Sequence, residues 1–72
     1  MNIITFDLGR YVVTDYGKRS VDRRYYLQDR NSDRGIYLSP DEYLFIVQGE
    51  NHDDRLMSAA EIWEESQLEN AR

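Results

Sequence analysis

The stretch Ser39-Pro40-Asp41-Glu42-Tyr43-Leu44-Phe45-Ile46-Val47 decides the fold, because the chemistry of the chain changes there. Ser39 followed three residues later by Glu42 is a capping box. Pro40 falls at the first helical position, and acids occupy the first turn, where the helix dipole favours them. Gly49 is placed to end such a helix. The unbroken apolar run from Tyr43 to Val47 would also suit a buried strand, with residues 39–42 as a hairpin turn. Several independent start signals favour the helix.

Upstream of this stretch the apolar residues alternate and are rich in β-branched and aromatic types. Ile4, Phe6 and Leu8 project one way while Thr5 and Asp7 project the other. Gly9 separates this run from a second over residues 10–16, and Gly17-Lys18 separates that from a third over residues 19–28. A polar cluster, Asp29-Arg30-Asn31-Ser32-Asp33, then reads as a turn before Gly35 and the short run Ile36-Tyr37-Leu38. Downstream, Ser58 and Glu61 form a second capping box, with Met57 and Ile62 spaced as a hydrophobic staple. Ala59, Ile62, Trp63 and Ser66 share one helical stripe, and Glu61, Glu64, Glu65 and Glu69 make the opposite face acidic. The expected architecture is an α+β fold in a single domain of residues 1–72. It has an antiparallel meander of three or four strands, a short helix and a C-terminal helix, joined only at residues 49–54.

Composition sets limits on function. The 72 residues carry nine Lys+Arg against fourteen Asp+Glu and no cysteine, for a formal charge of −5. Residues 1–38 hold seven bases and five acids, a net +2, whereas residues 39–72 hold two bases and nine acids, a net −7. A mildly basic half is thus joined to a strongly acidic one, a polarity that concerns partners and not fold. Without cysteine there is no disulfide framework, thiolate zinc site or cysteine nucleophile. No stretch reaches the ~18 apolar residues of a membrane span, and residues 1–9 lack the layout of a signal peptide, so a cytoplasmic location is expected. The length is close to the roughly 70–80 residues at which one core barely supports itself, which makes self-association an expectation.

Chemistry-bearing residues are few. His52 is the only histidine, which excludes a two-histidine zinc site. Glu50, His52, Asp53 and Asp54 lie within five positions, but read as a solvated loop and not as a metal site. The glycines sit at turn positions without a phosphate-loop pattern, and no serine has a nucleophile-elbow context. No catalysis, metal or cofactor is expected. Arg10, Tyr16, Arg24 and Tyr26 fall at even positions of two antiparallel strands, with Lys18 and Arg19 at the connecting turn. Alternation would display guanidinium and phenol groups together on one sheet face, a combination that tracks phosphates and stacks on bases. The same pattern also fits an ordinary sheet whose arginines pair with Asp15, Asp22 and Asp29 across strands. Trp63 and Ile62 fit a partner anchor, and fit better the chain's own core.

Val21-Asp22-Arg23-Arg24-Tyr25-Tyr26, followed by Arg34-Gly35-Ile36-Tyr37-Leu38-Ser39-Pro40-Asp41-Glu42-Tyr43, resembles the positive cofactor four family of transcriptional coactivators, including its small bacterial and phage-type relatives. Arg10-Tyr11-Val12 and Asp15-Tyr16-Gly17-Lys18 resemble that family's first strand and turn. The resemblance spans residues 9–49 and leaves residues 50–72 as an acidic helical extension. It implies a four-stranded antiparallel sheet followed by a helix, homodimerisation largely through that helix (Tyr43, Leu44, Ile46 and Val47), and single-stranded DNA bound on the sheet. Carried over residue by residue, it implies phosphate contacts by Arg10, Lys18, Arg19, Arg24 and Arg34, stacking by Tyr16, and an aromatic role for Tyr26. The chain departs from the pattern at Leu27, where some members carry a stacking tryptophan, in its short 29–35 connection, and in having a single lysine.

Two functions from different classes follow as expectations. One is a single-stranded nucleic-acid binder, for DNA or RNA, serving as a transcription or replication cofactor. The other is a small acidic adaptor or phage-type inhibitor that engages a protein partner through its acidic C-terminal helix.

Overall fold

A computed structural model describes residues 3–70. Four strands, β1 (Ile4–Asp7), β2 (Tyr11–Asp15), β3 (Tyr25–Asp29) and β4 (Arg34–Leu38), precede two helices, α1 (Pro40–Val47) and α2 (His52–Asn70). The strands pair antiparallel in sequence order, β1-β2-β3-β4, the meander that the alternation predicts. Register puts Ile4 opposite Asp15, Val13 opposite Leu27, and Leu27 opposite Ile36. One face of the sheet therefore carries Phe6, Tyr11, Val13, Leu27, Ile36 and Leu38, and the apolar stripes of both helices close on that face alone.

Helix α1 starts as its signals predict. The Ser39 hydroxyl accepts from the Glu42 amide at 3.2 Å, and the Glu42 carboxylate accepts from the Ser39 amide at 2.8 Å. The strand alternative for this segment fails because those two bonds satisfy amides that a hairpin turn would leave to a ladder. Ile46 is fully buried, and Tyr43 stacks on Tyr25 with ring centroids 4.1 Å apart. Three of the four residues placed at a dimer interface, Tyr43, Ile46 and Val47, thus pack in or against the chain's own core, while Leu44 stays exposed.

Helix α2 corrects three expectations. It begins at His52, not near Ser58, because the Asn51 side chain accepts from the Asp54 amide at 2.9 Å and Asp53 and Asp54 suit the first turn. Residues 52–54 are therefore helical and not loop, and Ser58 lies inside the helix. The Met57–Ile62 staple does not form, since Met57 is exposed and Ile62 buried. The stripe itself is as expected: Ala59, Ile62 and Trp63 are buried and Ser66 half-buried. Trp63 meets Tyr11 at a centroid distance of 6.4 Å, so α2 is a wall of the core and not an appendage. No described helix is long and apolar enough to cross a membrane.

Three strands end on the same device. Asp7, Asp15 and Asp29 close β1, β2 and β3, and each accepts, at 2.9–3.1 Å, from the amide two residues on, at Gly9, Gly17 and Asn31. This local bond turns the chain at the strand end, and the φ of +87° at Gly9 and +96° at Gly17 explains glycine at the first two turns. Each aspartate is also held by an arginine: Asp7 by Arg30 at 2.9 Å, Asp15 by Arg24 at 2.8 Å and Asp29 by Arg10 at 3.1 Å.

Candidate nucleic-acid interface

The arginine–aspartate pairs change where the basic residues can act. Asp15 and Asp29 lie on the helix-covered face and are buried, with side chains 8 % and 2 % exposed. Arg24 grips Asp15 through Nε at 2.8 Å and Nη2 at 3.3 Å, and its guanidinium lies 5.0 Å over the Tyr25 ring. Arg10 donates to Asp29 and lies 5.2 Å over Tyr11. Both arginines sit just outside the strands, so simple alternation does not govern them and long side chains turn back to a buried carboxylate. The single face joining Arg10, Tyr16, Arg24 and Tyr26 is therefore not formed. The cross-strand pairing reading holds for Asp15 and Asp29.

The hydrogen bond from Arg24 holds the Asp15 carboxyl below its ordinary 3.8, and the bond from Arg10 does the same for Asp29. A carboxyl with a depressed folded-state pKa stabilises the fold fully above its unfolded value and loses that contribution as pH falls through the folded one. Acidification below about pH 4 should therefore lower the melting temperature, and Asp15→Asn or Asp29→Asn should flatten that dependence. Arg30 pairs with an Asp7 side chain that is 61 % exposed, where an ion pair contributes little. Arg24→Ala and Arg10→Ala should each lower the melting temperature at neutral pH more than Arg30→Ala, because each strands a buried carboxylate. Thermal unfolding followed by circular dichroism checks both expectations.

Three of the remaining cations lie in one connection at one end of the sheet. The 16–24 connection joins β2 to β3 and carries Lys18, Arg19 and Arg23, none of them in a salt bridge among the described residues. The Tyr16 amide donates to the Arg24 carbonyl at 2.7 Å, which extends the ladder one residue into the connection. Tyr16, Lys18, Arg19 and Arg24 line an open hollow of about 550 Å³ together with Ile4 and Asp15, two residues of the helix-covered face. Arg34 lies at the other end of the sheet, opposite Asp29, and donates to the Gln67 side chain at 3.1 Å. The structure thus brings Tyr16, Lys18 and Arg19 together and separates them from Arg10 and Arg34.

Tyr26 belongs to the face that neither helix covers. By register this face holds Thr5, Val12, Thr14, Tyr26, Gln28 and Tyr37, none of which joins the core. Tyr26 and Tyr37 sit opposite each other and meet edge to face at 4.9 Å, and the Arg23 guanidinium lies 5.9 Å over the Tyr37 ring. Tyr37 is half exposed. Leu27, compared above with a stacking tryptophan, points the opposite way and is fully buried. Sequence reasoning missed Tyr37 and Arg23. Pairing the strands about the 29–34 turn would have found Tyr37, since it falls opposite Tyr26, whereas nothing local distinguishes Arg23 from Arg24.

Gln28 is the only polar amide on this face, and its Nε2 reaches Asp33 at 3.4 Å. Among the described residues no group of three His, Asp or Glu is arranged to hold a metal ion. No protein-family model, curated protein or solved structure matches the chain.

Proposed function

We propose that the chain binds single-stranded nucleic acid along the uncovered face of its sheet, as a small transcription or replication cofactor would. The observation that carries this reading is the Tyr26–Tyr37 pair with Arg23 over Tyr37, on a face that neither helix covers. The exposed Tyr37 ring, backed by the half-buried Tyr26, offers stacking worth about 1–3 kcal/mol per base, and cations of the 16–24 connection offer phosphate contacts. Single strands fit better than duplex, because bases must be splayed to reach rings that lie on a sheet and no element projects to enter a groove. The cations assigned to phosphates are Lys18, Arg19 and Arg23. Arg10 and Arg24 are assigned to the fold.

The test is a fluorescence-anisotropy titration of an oligo-dT of about 20 nucleotides, beside its oligo-rU counterpart, at two salt concentrations. Three phosphate contacts to a single strand predict a slope of about −2 in log affinity against log salt. Tyr37→Ala should weaken binding about tenfold or more, and Arg23→Ala should weaken it alike on all sequences. Arg30→Ala should leave it unchanged. No binding of either oligonucleotide at low salt would refute the proposal.

A further inference from the structure

The outward side of the helical layer has a different character from the sheet. Between α1 and α2 runs a groove of about 260 Å³ whose floor is Phe45 and Ile62 and whose rim is Asp41 and Glu42 on one helix and Glu61 and Glu65 on the other. Phe45 is 41 % exposed although it is the largest apolar side chain of α1. Glu61, Glu65 and the exposed Leu68 recur at i, i+4 and i+7, so the acidic and apolar groups continue as one stripe along α2.

Four carboxylates across a narrow groove repel one another, and the chain's described cations do not relieve them. Arg55 is turned to the Gly49 carbonyl at 3.0 Å and lies over Phe6, and Arg34 is bonded to Gln67. None of the four rim residues takes part in a described salt bridge. The Glu42 carboxylate also caps α1 through the Ser39 amide, and the surface complementary to this rim is cationic with an apolar group to cover Phe45.

From this charge complementarity we infer that the α1–α2 groove docks a cationic amphipathic helix of a partner protein. Its apolar residues would seat on Phe45, beneath which Ile62 is already buried, and its lysines or arginines would face Asp41, Glu42, Glu61 and Glu65. This is the helix-in-groove mode of recognition, with apolar anchors at helical spacing and a charged rim that sets orientation and rate of encounter. The groove lies on the helical layer and the tyrosine pair on the opposite face of the sheet, so the inference stands independently of nucleic-acid binding.

The test uses the full chain and two synthetic peptides of equal length and charge, one with lysine and leucine at helical spacing and one with lysine and serine. Heteronuclear NMR titration should show the leucine peptide binding at least tenfold more tightly, with shifts centred on Phe45, Glu61 and Glu65. Glu61→Lys with Glu65→Lys, both at exposed positions, should abolish that preference while leaving the circular dichroism spectrum unchanged. Equal binding of the two peptides, or binding that survives the double substitution, would overturn the inference. So would sedimentation showing that the unmodified chain self-associates through this groove and that the double variant is monomeric, since the occupant would then be a second copy.

Discussion

Trp63→Ala is expected to leave the domain largely unfolded at room temperature. Trp63 is 4 % exposed and packs on Tyr11, itself buried at the start of β2. Truncating a buried tryptophan costs about 3–5 kcal/mol, through lost transfer free energy and the cavity left behind. A single core in a chain of this size rarely supplies more than about 3–5 kcal/mol of net stability, so one substitution consumes nearly all of it. Leu68→Ala and Met57→Ala, on exposed faces of the same helix, should change the melting temperature little. Far-ultraviolet circular dichroism and urea titration of the three variants make the comparison. The result also bears on residues 50–72. Removing residues 58–72 takes away Ala59, Ile62 and Trp63 along with the acidic face, so a truncation would test folding and not partner binding. Charge substitutions at Glu61 and Glu65 separate the two.

Gly35→Val is expected to destabilise the sheet by about 1–3 kcal/mol and to disturb the open face at the same time. A Cβ at Gly35 would overlap the Tyr26 phenol and come within 2.8 Å of the Leu27 carbonyl oxygen. The tyrosine side chain can swing away, but the carbonyl belongs to the β3 backbone, so the cost is not relieved by side-chain motion alone. In a Tyr26→Ala background the same substitution should cost less without becoming neutral, a non-additivity that a double-mutant cycle of melting curves would measure. Because displacing Tyr26 also breaks its contact with Tyr37, Gly35→Val should weaken oligo-dT binding under conditions where the variant remains folded.

Helix α1 was legible from Ser39 to Val47 because a capping box is satisfied within four residues and needs no distant partner. The strand meander was legible for the same reason, as period-two alternation and turn residues are local properties. The start of α2 was misread because Ser58 and Glu61 have the right spacing for a cap, while the bond actually made is the one from the Asp54 amide to Asn51. A capping box written in a sequence competes with an earlier start, and the apolar contacts of α2 with the sheet reward the longer helix. Arg10 and Arg24 were misplaced because an arginine side chain is long enough to leave the side that its Cα position assigns. Where it goes depends on which carboxylate is buried within reach.

By itself the sequence determined the order of elements, the sheet-then-helix division and the charge polarity, all of which rest on spacing of a few residues or on composition. Only the tertiary structure decided that Asp7, Asp15 and Asp29 absorb three of the seven first-half cations, since each pair joins residues 9 to 23 positions apart. It likewise decided that Arg23 lies over Tyr37 on the face left open, and that Phe45 shares a groove with two carboxylates of its own helix and two of α2. Those juxtapositions depend on where long side chains settle and on the packing of two helices against one side of the sheet, neither of which any local pattern encodes.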